Sequence, residues 1–230
     1  MRDSDRPPVL AHLRFTAERD SFAGLDLKRR FERIHRINLW GAEHSVSGLG
    51  SEAGATIALA RELPRLLDDL GISSLLDAPC GDASWIGGLA LRQRYIGVDI
   101  VPALIAELEQ RVAGGTIKGE FHLADITTDA LPAADAILCR DALVHLSFAN
   151  IARALRNFAR SGARYLIATT FTRWRENHDI ENGDWRPLNL EAPPFGLPAP
   201  LALLDEQCTE AEGGYADKCL GVWRVADLSP

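Results

Sequence analysis

Between residues 73 and 171 short apolar runs alternate with amphipathic segments, and that alternation limits the folds open to the chain. The runs are "SSLLDA" (73–78), "RYIGVDI" (94–100), "GEFHLAD" (119–125), "DAILCR" (135–140) and "ARYLIATTF" (163–171). Their length and continuous apolar character suit parallel strands covered on both faces. Helices are predicted between them over 84–92, 102–113 and 148–161. Pro102 suits a first helical turn, and Ser147 can cap the third helix. Strand–helix alternation at this spacing predicts a parallel sheet with right-handed crossovers. The tail differs. After a Pro-rich stretch (186–200), "PLALLDEQ" and "DKCLGVWRVADL" read as two strands without a long helix between them, hence an antiparallel pair. The predicted class is α/β: a doubly wound, seven-stranded, mostly parallel sheet with a terminal antiparallel pair.

Upstream, "LDLKRRFERIHRIN" sets Leu27, Phe31, Ile34 and Asn38 on one helical face. "EAGATIALARELPRLLDDL" reads as a helix that Pro64 kinks or restarts and Gly71 stops. Residues 1–22 lack clear periodicity and are expected to be loosely held. The chain, 1–230, reads as one domain, with 1–50 as a helical N-terminal extension and 172–200 as a loop on the substrate side. Its 32 acidic and 25 basic residues give a net charge of -7, which argues against a nucleic-acid partner. No apolar run approaches the roughly 20 residues that span a bilayer. "MRDSDRPPVL" has no signal-peptide core, so a cytoplasmic protein without a membrane partner is expected. Cys80, Cys139, Cys208 and Cys219 show no CxxC pairing, which points to neither a metal site nor a disulfide framework.

Three consecutive strands end in aspartate: Asp77, Asp99 and Asp125. In a doubly wound sheet, ligands sit beyond the carboxyl ends of the strands. Gly81 lets backbone approach a ligand closely. Asp99 can accept from both hydroxyls of a ribose, and Asp125 from an exocyclic adenine amine. A dinucleotide would need a glycine-rich G-x-G-x-x-G turn for its pyrophosphate. The segment "DAPCGDAS" has one glycine, and Asp82 would repel phosphate. A sulfonium nucleoside has no phosphate, and its ammonium welcomes carboxylates such as Asp77 and Asp82. The charge pattern favours S-adenosylmethionine over NAD.

These motifs resemble those of class I S-adenosylmethionine-dependent methyltransferases, in a bacterial small-molecule branch. "LLDAPCGDA" resembles the first motif, "YIGVDI" the second, "LADI" the third and "ILCRDALVHLS" the fourth. Pro79 and Ala83 stand where the common pattern has glycines. The resemblance implies a Rossmann-like methyltransferase fold with S-adenosylmethionine as cofactor. It sets Gly81 against the methionine moiety, Asp99 by the ribose, Asp125 with Ile126 at the adenine, and Ile100 also among the cofactor-binding residues. The backbone at Arg140 would face the methionine ammonium. The segment "WGAEHSVSGLGS" would close over the cofactor through Trp40, Gly50 and Ser51.

For the acceptor, Asp141 and His145 are the candidate catalytic pair. Were "DALVH" a helical turn, they would share a face, with the carboxylate orienting the imidazole or both reaching one substrate. At its ordinary pKa near 6.5 His145 would titrate around neutrality. Otherwise His145 packs or caps. The long loop after the fifth predicted strand offers Trp174, Asn177, Asp179, Trp185 and Arg186 as substrate-binding residues; otherwise it is a surface loop pinned by its tryptophans. The leading reading is methyl transfer to nitrogen or oxygen of a small polar metabolite or sugar. The rivals are a nucleoside-binding scaffold without turnover and an NAD-dependent oxidoreductase.

Overall fold

The computed structural model describes residues 6–228. The first five residues of the predicted N-terminal extension lie outside the described residues. The strands are β1 (Ser74–Asp77), β2 (Arg94–Asp99), β3 (Glu120–Leu123), β4 (Ala136–Cys139), β5 (Tyr165–Phe171), β6 (Ala202–Asp205) and β7 (Lys218–Arg224). They form one sheet in the order β3-β2-β1-β4-β5-β7-β6. All pairings are parallel except those of β7 with β5 and β6. The order in which strands are added reverses between β1 and β4, so a crevice opens at their carboxyl ends.

The helices are α1 (Leu10–Glu18), α2 (Leu27–Arg36), α3 (Ala53–Asp69), α4 (Pro102–Ala113) and α5 (Phe148–Arg160). Alternate strand residues feed two cores. Leu75, Tyr95 and Leu138 pack with Leu59, Leu63 and Leu67 of α3 and Ile105 and Leu108 of α4. Leu76, Ile96 and Ile137 pack with Ile151, Leu155 and Phe158 of α5. Pro102 opens α4, and the Ser147 hydroxyl accepts from the Asn150 amide at the start of α5. Gly71, at φ +61°, ends α3 with a left-handed cap, its amide donating to Asp68 O. Pro64 lies inside α3 and does not restart it.

Two expectations need correction. Residues 84–92 form turns, not a helix, because Gly87 and Gly88 each cost a helix about 1 kcal/mol. The segment before residue 22 contains α1, with Phe15 and Phe22 fully buried against Ile34 and Leu39. Its periodicity is faint because α1 buries Phe15 alone. No helix among the described residues is long and apolar enough to cross a membrane.

Gly97 in β2 shows how tightly this frame is filled. A Cβ there would lie 2.7 Å from the Phe121 ring and 2.9 Å from Cys80 Sγ. Gly97→Ala is expected to lower the urea-unfolding free energy by about 1–3 kcal/mol through overpacking. An unchanged midpoint would show that the ring and thiol yield freely.

Candidate active site at the carboxyl edge of the sheet

The crevice between β1 and β4 deepens into a cavity with about 990 Å³ of empty space, part of it open to solvent. Asp77, Asp99 and Asp125 all line it, with Gly81, Ile100, Ile126, Arg140, Trp40 and Ser51. The strands deliver the carboxylates together because β1, β2 and β3 are adjacent and parallel. Burial pushes the Asp77 carboxyl up to about 7, against a hydrogen bond from the Tyr95 hydroxyl at 2.7 Å. Burial likewise raises Asp99 to about 6, although it accepts from Gly81 N (3.1 Å) and Val101 N (2.9 Å). Asp125 Oδ1 accepts from Thr127 N and Oγ1.

The loop after β1 follows the path its residues permit. Gly81 sits at φ +54°, and a Cβ there would lie 2.2 Å from Ser47 Oγ. Ala83 takes φ +48°, left-handed backbone that explains the glycine usual at this position in the family it resembles. Asp82 does not line the cavity. Its carboxylate accepts from Ser45 Oγ (2.8 Å), Val46 N (3.0 Å) and Ser84 N (3.0 Å), so it clamps the N-terminal segment onto the loop. Gly50 also lies outside the lining, and its carbonyl accepts from Arg140 Nη2 at 2.7 Å.

Arg140 belongs to a buried cluster of charges. It donates to Glu206, while Lys218 Nζ lies 2.6 Å from Asp141 and 3.4 Å from Glu206. Burial alone would raise the Asp141 carboxyl, but Lys218 and Arg140 hold it at about 2. Both Asp141 and His145 line the cavity, yet not as the expected pair. Asp141 takes φ +50°, and only Leu143–His145 forms a tight 3-10 turn. The Asp141 carboxylate bonds Lys218, and the His145 ring is oriented by the main chain, Nδ1 lying 2.7 Å from Asp184 O. A carbonyl can only accept, so Nδ1 carries the proton and Nε2 a lone pair. Burial lowers the imidazole to about 4, far from its expected value, so it is neutral at physiological pH. Trp40 stacks on it, ring centroids 4.4 Å apart.

The loop of 172–200 does not reach this cavity. Arg186 donates to Leu143 O, Leu146 O and His178 O. Asn177 bonds Asn189 through both its amide groups, and Asp179 accepts from Phe148 N. Trp185 packs on Phe171 and Tyr215, and Trp174 lines a separate groove. A loop without regular structure must satisfy its backbone through side chains, and these side chains do so. The cavity wall there comes instead from α2 and the turn beyond its C-terminus: Leu27, Phe31 and His35 with Trp40. The apolar stripe of α2 reads in sequence as ordinary core packing.

Comparisons agree with this architecture. Residues 75–163 match the family model of a methyltransferase domain. The fold is shared with the N-methyltransferase NodS from Bradyrhizobium japonicum WM9, at TM-score 0.54 and 18% identity over 76% of this chain and 98% of that one. It is shared also with magnesium protoporphyrin IX methyltransferase (ChlM) from Synechocystis PCC 6803 with bound SAM, at TM-score 0.51 and 17% identity over 70% and 81%. The chain spans 66% of the bacterial CtHen1-C methyltransferase domain, at 12% identity, 50% coverage of its own length and TM-score 0.44. No curated protein matches the chain. Residues 75–163 thus match a methyltransferase domain, and the chain shares its fold with solved methyltransferases.

The buried carboxyls set a pH signature. Folding raises Asp77 from 3.8 to about 7, so between these values the folded chain holds a proton that the unfolded chain has lost. Its contribution to stability therefore falls as pH rises from about 4 to about 7. His145, lowered to about 4, acts oppositely below its unfolded value. Comparison with Asp77→Asn isolates the first effect. Without ligand, the wild type is expected to lose stability relative to this variant as pH rises over that interval, read from urea midpoints. A constant difference would contradict the raised value.

Proposed function

We propose that the chain binds S-adenosylmethionine in this cavity and methylates nitrogen or oxygen of a small-molecule acceptor. The observation that carries the reading is the convergence of Asp77, Asp99 and Asp125 on one cavity with Gly81. The residues fit the cofactor. Asp99, held by two backbone amides, suits the ribose hydroxyls. Ile100 and Ile126 suit the two sides of an adenine, with Asp125 at its amine. The Gly81 backbone and Asp77 suit the methionine end, whose ammonium would favour ionised Asp77. Trp40 and Ser51 would cover the bound molecule, held by the Asp82 and Arg140 clamps.

The cofactor supplies an activated methyl: as the acceptor atom bonds to that carbon, the carbon–sulfur bond breaks, sulfur keeps the electron pair, and the acceptor's proton leaves. The residues of this chain orient the partners, exclude water and receive that proton. A dinucleotide finds less support, since the loop has one glycine and carries the Asp82 charge. A scaffold without turnover would bind the same nucleoside and methylate nothing.

Calorimetry is expected to register binding of S-adenosylhomocysteine and none of NADH; comparable NADH affinity would overturn the assignment. Asp99→Ala removes hydrogen bonds to a charged group, each worth about 1.5–3 kcal/mol. It should therefore weaken S-adenosylhomocysteine at least tenfold, with circular dichroism unchanged. Unaltered affinity would make Asp99 a loop anchor only. Affinity for the cationic S-adenosylmethionine should rise from pH 5 to pH 8, as Asp99 and then Asp77 ionise.

A further inference from the structure

The end of the cavity that the cofactor does not need has its own chemistry. Leu27 and Phe31 of α2, Trp40 and Leu146 line it, and His145 stands among them. Phe31 packs edge-on to Trp40, and Trp40 stacks on the imidazole. Such a wall suits a flat apolar body. Among the described residues no lysine or arginine without a partner lines that end. Arg140 is the guanidinium in the lining, and it is committed to Glu206 and Gly50 O. Arg186 is committed to three carbonyls. A carboxylate or phosphate acceptor would meet Asp141 with nothing to balance it. The Asp141 charge is already matched by Lys218, which weakens its pull on an ammonium.

Two imidazoles remain in the lining, His35 and His145, and His145 is the one held against the Trp40 ring. Its Nδ1–H is fixed on Asp184 O, so Nε2 can only accept, and no hydrogen bond among the described residues occupies it. An uncharged proton donor satisfies it. Alkyl amines are largely protonated at neutral pH, as the ordinary lysine value near 10.4 shows, whereas hydroxyls stay neutral and keep their proton.

We infer that the methyl acceptor is an uncharged, flat, apolar molecule bearing a hydroxyl, held against Trp40 and Phe31 with its O–H donating to His145 Nε2. This rests on the proposed methyl transfer and narrows the small-molecule acceptor to an aromatic-type alcohol, in place of the polar metabolite or sugar expected from the sequence. As oxygen gains its methyl group, the hydroxyl proton passes to Nε2 and then to water. The nearby Asp141 carboxylate and the Asp184 carbonyl favour the transient imidazolium. The ether product has no proton to donate, so it loses the His145 bond and is released.

The test uses the full chain saturated with S-adenosylhomocysteine and calorimetry against 2-naphthol, 2-naphthoate, 2-naphthylmethylamine and glucose. 2-Naphthol is expected to bind at least tenfold tighter than the other three, and with S-adenosylmethionine it should yield 2-methoxynaphthalene. His145→Asn keeps a donor for Asp184 O but deletes Nε2, and should cost at least tenfold in 2-naphthol affinity while S-adenosylhomocysteine binds as before. His145→Gln, which restores a polar atom near Nε2, should recover part of the loss. Failure of 2-naphthol to bind, preference for any other probe, or unchanged 2-naphthol affinity in His145→Asn overturns the inference. The wild-type panel decides even if the variant does not fold. Failure of S-adenosylhomocysteine itself to bind defeats the methyltransferase reading, and this inference with it.

Discussion

Three buried charges and the half-buried Asp141 close the carboxyl edge of the sheet. Arg140 and Asp141 follow β4, Glu206 follows β6, and Lys218 opens β7; they bond one another at 2.6 Å in two pairs. Each charge alone would be costly to bury, so they stand or fall together. The cluster ties the antiparallel end of the sheet to the strand at the crevice. Through Gly50 O it also ties in the segment that covers the crevice. A Cβ at Gly50 would lie 2.6 Å from Asp141 Oδ2, so a larger residue there would displace that carboxylate. The same pairing matches the Asp141 charge at the wall of the cavity, where His145 Nε2 has no hydrogen-bond partner among the described residues.

A division of labour results among the polar side chains. Those of 172–200 look, by type, like a recognition surface. They are spent instead on backbone groups of the loop and of the turn beneath it, which holds the main chain at Asp184 where it can orient His145. The loop acts on the site through its bonds to the 143–146 turn, the Asp184 carbonyl on His145 among them. The aspartates at the strand ends do both: Asp99 and Asp125 accept from backbone amides of their own loops and also line the cavity.

The strands, the antiparallel end of the sheet and the aspartate triad are legible in the sequence because each rests on local signals: apolar runs, Pro102, Ser147, and the Gly81 loop. Asp82 and Gly50 are read as cofactor contacts from their positions, and lie instead in clamps that depend on partners 36–90 residues away, among them Ser45, Val46 and Arg140. The Asp141–His145 pairing fails for the same reason. Spacing of four assumes a helix, while the left-handed Asp141 and its distant partner Lys218 turn the carboxylate elsewhere. The contribution of α2 to the cavity carries no local mark, since an apolar helical stripe looks alike whether it covers a core or a ligand.

The account depends on which way the cavity is filled. A crystal structure of the complex with S-adenosylhomocysteine tests this directly. It should show both ribose hydroxyls within hydrogen-bond distance of Asp99 and the sulfur facing the Trp40–His145 stack. A ribose away from Asp99, or a sulfur turned toward Ile100 and Ile126, would contradict the account.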